Sequence, residues 1–252
     1  MVELTAGLTA LNCLRAANPG ELRQLEKTTE DTKAWKVSLD GASYFAKFFP
    51  TKRKDWADTE RAVSENANHP AIVPLVKVIH CEDGDLLLSP WVDGVNLTSM
   101  EARRKLNLLP TPERAAAVLS TFDALREVVG LGFTIVDWHE GNMIYDFERH
   151  RMWLFDWELC RHGDFFELAM DSNYGSSRLM APEEFVRGSR IDQVTFVFNL
   201  GRFAMLYLPE LADPLGDVIA KATHPSRARR FQSVSDFVEA LGTAITPFLA
   251  LA

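Results

Sequence analysis

The stretch that decides the fold is Asp137-Trp-His-Glu-Gly-Asn142, followed along the chain by Asp156 in the apolar run WLFDWE. The first stretch lies between apolar segments, and Asp156 ends another apolar strand. Phosphoryl transfer needs one carboxylate to orient the acceptor hydroxyl, and a second carboxylate with an amide oxygen to hold Mg²⁺ on the phosphates. Either stretch alone would also fit a turn cap, but together their order and spacing predict a phosphotransfer site.

Strand and helix patterns change character along the chain. An amphipathic helix over residues 3–17 is followed by KAWKVSL and SYFAKFF, which flank Asp40-Gly41 and predict a β-hairpin. A polar helix over residues 55–67 and the strand LLLSPWV complete a strand-rich first third. The rest is predicted to be helical, beginning with Thr111 as an N-cap, apart from short strands around TIVDW, MIYD and MWLFDW. The pattern predicts an α+β fold.

Composition limits the classes of function. The chain has 252 residues, 47% of them hydrophobic, and a formal net charge of -8, which disfavours nucleic acid as a main partner apart from a local basic patch at Arg227, Arg229 and Arg230. Three cysteines without disulfide or zinc spacing favour the reducing cytoplasm. No apolar run is long enough to cross a membrane. Nothing in the composition indicates an oligomeric state.

These motifs resemble those of the protein kinase superfamily, and the resemblance covers most of the chain. Asp137 and Asn142 match the catalytic-loop Asp and Asn, and Asp156 matches the Asp of the Asp-Phe-Gly motif. The resemblance implies a single two-lobed kinase-like domain over residues 1–252. Its small antiparallel-sheet N-lobe would cover about residues 1–90, and its mostly helical C-lobe about residues 91–252.

The resemblance also implies a set of ATP-binding residues. Lys47 in YFAKFF matches the strand-three Lys that holds the α- and β-phosphates, and Glu60, rather than Glu65, matches its partner on the following helix. ATP with Mg²⁺, or Mn²⁺ in its place, is the implied cofactor. The gatekeeper and the backbone groups that bind adenine fall at Ser89, Pro90 and Val92.

A second set of motifs concerns the acceptor. Gly175-Ser-Ser-Arg-Leu-Met-Ala-Pro-Glu183 resembles the Gly-Thr-x-x-Tyr-x-Ala-Pro-Glu of Ser/Thr protein kinases, with Ser176 at the Thr position. The resemblance implies that this segment forms the floor of the acceptor site, that Ser176 lies beside Asp137, and that Glu183 pairs with Arg230. A Ser or Thr hydroxyl of a protein is the acceptor that follows.

Two other motifs leave a small-molecule acceptor open. Asp-x-His-x-Gly-Asn and Asp-Trp-Glu look like the aminoglycoside and choline phosphotransferases, which share the fold. In that alternative His139, Glu140 and Glu158 could hold the amine of a small-molecule alcohol. In either case Glu158 is an additional candidate metal ligand beside Asn142 and Asp156.

A third alternative is a pseudokinase that acts as a binding or scaffold module. The phosphate-covering loop, KTTEDTKAW, has no Gly and carries Glu30 and Asp31, whose carboxylates would repel a triphosphate unless they point away. Retention of Lys47, Asn142 and both catalytic Asp residues argues against this alternative, because a scaffold needs no metal ligands.

Two further departures concern regulation and the support of the catalytic loop. Val136 stands where many kinases have an Arg, so activity is predicted not to need a phosphate between Asp156 and Glu183. Phe196 occupies the place of the Asp that normally braces the catalytic-loop backbone, and Asp192 is the candidate substitute.

Overall fold

The computed structural model describes residues 8–26 and 31–249. The helices are α1 (Ala10–Ala16), α2 (Lys54–Asn66), α3 (Met100–Asn107), α4 (Thr111–Gly130), α5 (Gln193–Tyr207), α6 (Ala212–Ala222) and α7 (Val234–Leu249). The strands are β1 (Glu21–Gln24), β2 (Lys33–Leu39), β3 (Ala42–Pro50), β4 (Lys77–Cys81), β5 (Gly84–Pro90), β6 (Val95–Asn96), β7 (Phe133–Thr134), β8 (Met143–Asp146), β9 (Arg151–Leu154), β10 (Arg161–His162), β11 (Phe165–Glu167) and β12 (Arg190–Asp192).

The chain divides into two compact units. The first holds the described residues up to Asn66 together with Val73–Val92, and the second holds Ala67–Ile72 and the described residues from Asp93 onward. The predicted α+β class is confirmed, because strands dominate the first unit and helices dominate the second. That both units make a single domain stays a prediction.

Residues 67–72 are the exception to the predicted division of the chain. They precede position 90 in sequence but belong to the second unit. The backbone N–H of Leu154 donates to the carbonyl of Ala71 at 2.7 Å, and Ile72 forms a parallel bridge with Leu154. This segment is therefore anchored to β9.

An antiparallel five-stranded sheet in the order β1-β2-β3-β5-β4 forms the first unit. Leu39 pairs with Ala42, so β2 and β3 are joined by the two residues Asp40 and Gly41. Both have positive φ, 50° and 80°, as a type I′ hairpin turn requires. The hairpin predicted from Asp-Gly is confirmed.

The two faces of this sheet bury different helices. Trp35, Val37 and Leu86 face one way and pack in a core with Leu14 of α1. Residues one position along each strand face the other way, because side chains alternate along a strand. On that second face Phe49 and Leu87 pack with Ala57 of α2. The sheet is therefore covered by one helix on each side.

Helices α4, α5 and α7 form the core of the second unit. The ring of Phe122 on α4 lies 5.9 Å from that of Phe203 on α5 and 5.8 Å from that of Phe237 on α7. Three small antiparallel sheets accompany these helices, in the orders β6-β8-β9, β10-β7 and β11-β12. Among the described residues, no helix is both long and apolar enough to span a bilayer.

Three predicted boundaries differ from the structure. The first helix begins at Ala10, and residues 3–7 of its predicted range lie outside the described residues. Thr111 is the first helical residue of α4, and Pro110 is its N-cap. The predicted strand TIVDW is limited to Phe133–Thr134, because only these two residues pair with β10.

Candidate active site

The hairpin of β8 and β9 brings two of the predicted metal ligands to one end of a small sheet. Met143 pairs with Leu154, so Asn142 and Phe155 lie just beyond the last pair. The Phe155 N–H donates to the Asn142 carbonyl at 3.2 Å, and Asp156 is the next residue. The apolar strands thus place the amide of Asn142 and the carboxylate of Asp156 at the same hairpin end.

Asp137 is tied to this end by the side chain of Asn142. The Nδ2 of Asn142 donates to the backbone carbonyl of Asp137 at 2.9 Å, which turns Oδ1 of the same amide away from that carbonyl. The predicted catalytic residue Asp137 and the predicted metal ligand Asp156 both have left-handed backbones, with φ of 58° and 74°. Such conformations cost free energy in non-glycine residues and concentrate at functional sites, although Asp tolerates them better than most residues.

Oxygen donors at the hairpin end suit a hard divalent cation. A carboxylate oxygen of Asp156 and one of Glu158 lie within 4.8 Å of each other, and Glu158 is buried. With Oδ1 of Asn142 nearby in the hairpin, the donor set is carboxylate and amide oxygen, which Mg²⁺ prefers. The residue types therefore fit the predicted metal, and their role as its ligands stays a prediction.

His139 is held between its own loop and Asp137. Its Nδ1 accepts the Gly141 N–H at 2.9 Å, and its Nε2 lies 3.5 Å from Oδ1 of Asp137. The interaction with Asp137 raises the pKa of His139 above its ordinary value, with smaller contributions from the charges of Glu140 and Asp156 and against the effect of burial. His139 thus stabilises the orientation of the predicted catalytic carboxylate.

Aromatic packing supports the catalytic loop where a polar brace was expected. The ring of Trp138 packs edge-on against Phe196 at 5.5 Å and lies 4.9 Å from Phe203. The expectation that Asp192 would brace this loop is wrong. Asp192 instead caps α5, accepting the N–H groups of Val194 and Thr195 at its N-terminus, and also binds two arginine side chains.

The carboxylate of Glu183 belongs to a group that we call the arginine–carboxylate cluster, composed of Glu183, Asp192, Arg227 and Arg230. Arg230 binds both oxygens of Glu183, at 2.6 and 3.0 Å, which confirms the predicted pair. Arg227 bridges Glu183 at 2.8 Å and Asp192 at 2.7 Å. The predicted basic patch is therefore largely wrong, because two of its three arginines neutralise internal carboxylates.

Residues 175–183, which we call the acceptor segment after their predicted role, run close to residues 137–142, the predicted catalytic loop. Gly175 has φ of 120°, and a Cβ atom there would lie 3.4 Å from the Trp138 carbonyl oxygen and 3.7 Å from the Asp137 Cα. Ser176 and Asp137 line the same small cavity, which confirms that Ser176 lies beside Asp137. The side chain of Asn199 holds the segment from α5 by donating to the Leu179 carbonyl at 3.0 Å.

In the first unit, Lys47 and Glu60 are brought together by β3 and α2. Lys47 pairs with Leu87 across the sheet and is therefore on the face that α2 covers. Its Nζ lies 3.5 Å from Oε2 of Glu60, whereas Glu65 contacts Arg61 at the surface. The predicted pairing of Lys47 with Glu60 is confirmed, and its role in holding phosphates stays a prediction.

The residues predicted to contact adenine lie at the end of β5. Ser89 pairs with Phe45, two positions from Lys47, so the side chains of Ser89 and Lys47 are on the same face of the sheet. Pro90 ends the strand, and Val92 follows it at the end of the first unit. Their part in binding adenine stays a prediction.

Asp31 does not present an unpaired carboxylate from the Gly-free loop. Arg53 donates to it at 2.9 Å, and Lys52 forms a second ion pair with it. These contacts, that of Lys52 first, lower the pKa of Asp31. Glu30 lies outside the described residues.

Sequence reasoning missed one ion pair at the catalytic loop. Glu140 is only 3% exposed, and its Oε1 accepts from Nη2 of Arg178 at 2.6 Å and from the hydroxyl of Tyr207 at 3.2 Å. Nothing in the local pattern predicts a contact between residues so far apart in sequence. The sequence shows only that an acidic residue lies in a polar loop. It does not show that this residue is buried, which is the feature that calls for a cationic partner.

No protein-family model matches the chain, and no curated protein matches its sequence. The structure is similar to two crystal structures of the PknI kinase domain of Mycobacterium tuberculosis, each with a TM-score of 0.62, 18% identity, and coverage of 96% of this chain and 99% of that domain. A mutant of the same kinase domain matches with a TM-score of 0.61 and 18% identity over 88% of this chain and 93% of that domain. The chain therefore has the fold of the protein kinase superfamily.

Proposed function

We propose that the chain is an ATP- and Mg²⁺-dependent phosphotransferase that acts on a Ser or Thr hydroxyl of a protein. The observation that carries the proposal is the end of the β8–β9 hairpin. There the Asn142 side chain binds the backbone of Asp137, and Asn142 lies opposite Phe155, the residue before Asp156. The chain that carries this hairpin has a protein kinase fold. A carboxylate for the acceptor and oxygen ligands for a metal are thus supplied by one local structure.

Each residue has a distinct part in this reaction. Asp137 accepts the hydrogen bond of the acceptor hydroxyl and orients its oxygen for attack. Asn142 and Asp156, with Glu158 beside them, would hold the metal. Bound Mg²⁺, or Mn²⁺, supplies positive charge that neutralises the phosphate oxygens.

Residues of the first unit are proposed to bind the nucleotide. Lys47 binds phosphate oxygens, and its contact with Glu60 fixes the ammonium group in one place. Backbone groups at Pro90 and Val92, next to Ser89, bind adenine. We place the activity in the reducing cytoplasm, because the three cysteines have no disulfide or zinc spacing in the sequence.

Two observations favour a protein acceptor and an active enzyme over the alternatives. Glu140 is buried and already binds Arg178 and Tyr207, so it does not present its carboxylate to the amine of a small substrate. Asp31 is neutralised by Lys52 and Arg53, which weakens the electrostatic argument for a pseudokinase.

Label transfer from radiolabelled ATP tests the proposal. The purified chain is incubated with Mg²⁺ or Mn²⁺ and generic protein substrates, and separately with choline-like and aminoglycoside amines. We expect label on Ser or Thr of a protein, and none with Asp137→Asn. Asp123→Asn, a change at a half-buried position on α4, should behave as the wild type.

The alternative outcomes are distinct. Efficient labelling of an amino alcohol without protein labelling or autophosphorylation would make the chain a small-molecule kinase. Nucleotide binding without transfer to either class of acceptor would support a scaffold.

A further inference from the structure

The buried carboxylate of Glu140 lies in the catalytic loop but is directed at the acceptor segment. A carboxylate removed from water is stable only when charge and hydrogen bonds compensate for the lost hydration. Here Arg178 supplies the charge at 2.6 Å, and the Tyr207 hydroxyl supplies a second hydrogen bond at 3.2 Å. Arg178 is therefore the cation on which this buried acid depends.

Arg178 is fixed by its backbone as well as by its side chain. Its carbonyl accepts from Nε of Arg202 on α5 at 3.1 Å, while its guanidinium reaches back to Glu140. Three contacts thus hold the acceptor segment. Gly175 lies close to the catalytic loop, Arg178 forms an ion pair with that loop, and the Leu179 carbonyl accepts a hydrogen bond from α5.

In the part of the chain that the structure describes, neither Val136 nor Arg161 forms a charged contact that links the catalytic loop to the acceptor segment. Val136 precedes Asp137 and cannot bind a phosphate, and it is buried. Arg161 lies in β10 with its guanidinium 5.3 Å from the ring of Phe166. A phosphoryl group added next to Arg178 would compete with Glu140 for its guanidinium.

We propose that the Glu140–Arg178 ion pair is a positioning device that holds the acceptor segment against the catalytic loop without a phosphate on the segment. Glu140 and Arg178 are positioning residues, because they act through the backbone of residues 175–183 and through the loop that carries Asp137. Only the kinetic consequence of this inference depends on the proposed phosphotransfer. The structural consequence can be measured on a chain of any activity.

Hydrogen exchange gives the structural test. The N–H groups of Leu179 and Met180 both donate to the Ser176 carbonyl, at 2.8 and 3.2 Å, and report the order of the segment. In Arg178→Met and in Glu140→Gln we expect exchange in the peptide covering residues 176–181 to rise about tenfold or more. Exchange in α4 and α7 should not change.

A matched control removes an ion pair that does not touch the catalytic loop. Arg187 contacts Asp171 at 3.0 Å, and both side chains are exposed. Arg187→Met should leave exchange unchanged in residues 176–181. The proposal is overturned if Arg178→Met and Glu140→Gln exchange like this control, or if exchange rises throughout the second unit, as a general loss of stability would require. Should Arg178→Met fail to fold, Glu140→Gln decides.

Kinetics give the functional test. A loosened acceptor segment should lower kcat/KM for the acceptor about 10- to 100-fold, mainly through KM, and leave the KM for ATP unchanged. Arg178→Lys, which keeps the charge, should recover part of the loss. Activation of the wild type by a phosphate on Ser176 or Ser177 would contradict the proposal. A wild type without transfer activity would refute the proposed function, while the exchange measurement would still decide this inference.

Discussion

The end of the β8–β9 hairpin and the arginine–carboxylate cluster both hold a pair of carboxylates in the second unit, but they hold them differently. In the cluster Glu183 and Asp192 are bound by arginines at 2.6 to 3.0 Å, and the side chain of Arg230 is fully buried. At the hairpin end, Asp137 and Asp156 are only half-buried and have left-handed backbones. The cluster is therefore built for stability, and the hairpin end holds its aspartates in conformations that cost stability.

Electrostatics give the same contrast. Burial alone would raise the pKa of Glu183, but the contacts with Arg230 keep it below its ordinary value. Burial also opposes ionisation of Asp192, and Arg190 and Arg227 lower its pKa in the same way. In the cluster, ionisation of the carboxylates is therefore coupled to folding.

The largest effect is expected on activity, from Asp156→Asn. The change removes a charge that the proposed metal site needs, so we expect turnover to fall about 1,000-fold, which corresponds to several kcal/mol of lost stabilisation of the transition state. The melting temperature should stay near that of the wild type. Label transfer and thermal unfolding measure the two quantities.

The opposite end of the same hairpin supplies the control. Asp146 caps the turn by accepting the N–H groups of Glu148 and Arg149. Asp146→Asn should keep most of the activity, since Asp146 lies at the other end of the hairpin from Asp156. Wild-type turnover in Asp156→Asn would show that the metal assignment is wrong.

A smaller but still large effect is expected on stability, from Arg230→Met. The change removes the buried guanidinium that binds both oxygens of Glu183 and leaves that carboxylate with Arg227 alone, so we expect the free energy of unfolding to fall by about 3 kcal/mol. Denaturant unfolding measures it. Arg187→Met, which removes an exposed pair, should change it by less than about 1 kcal/mol.

The same cluster predicts an acid limit to stability. Because the folded-state pKa of Glu183 lies below its ordinary value of 4.5, the ionised form stabilises the protein above that pH. This contribution is lost as the pH falls through the lowered pKa. Glu183→Gln should therefore show a weaker loss of stability below pH 4.5 than the wild type does, and an equal loss would contradict the role of the pair.

The smallest effect is expected at His139. Its folded-state pKa lies above the ordinary value of 6.5, so protonated His139 stabilises the protein below that pH, and the contribution is lost as the pH rises through the raised pKa. The difference in unfolding free energy between wild type and His139→Gln should be larger at pH 5.5 than at pH 8.5, by less than about 1 kcal/mol. In an Asp137→Asn background this pH dependence should become smaller.

Patterns within short stretches of sequence predicted those parts of the site that neighbouring strands and turns hold in place. The Asp40-Gly41 hairpin that aligns β3 follows from turn chemistry, whereas the choice of Glu60, not Glu65, as the partner of Lys47 came from the resemblance to protein kinases. The apolar strands β8 and β9 likewise set the relation of Asn142 to Asp156. In both hairpins, the register of the paired strands follows from side-chain alternation and turn type.

Contacts between distant segments could not be predicted in this way. Glu140 was a candidate to hold a substrate amine, and Asp192 a candidate to brace the catalytic loop, but each binds an arginine far away in sequence. Which arginine reaches a given carboxylate depends on packing of whole helices. Polar residues in loops carry no periodicity that would indicate burial.

The β8–β9 hairpin also determines where this chain can change in length. Its stem is held by four pairs from Met143–Leu154 to Asp146–Arg151, and residues 147–150 form the tip. Extra residues at the tip would leave every pair of the stem in place. One residue inserted within β9 would reverse the side chains that follow it and shift Asp156 by about 3.3 Å along the strand. Among descendants of this sequence, insertions should accumulate at the tip and be absent from the stem.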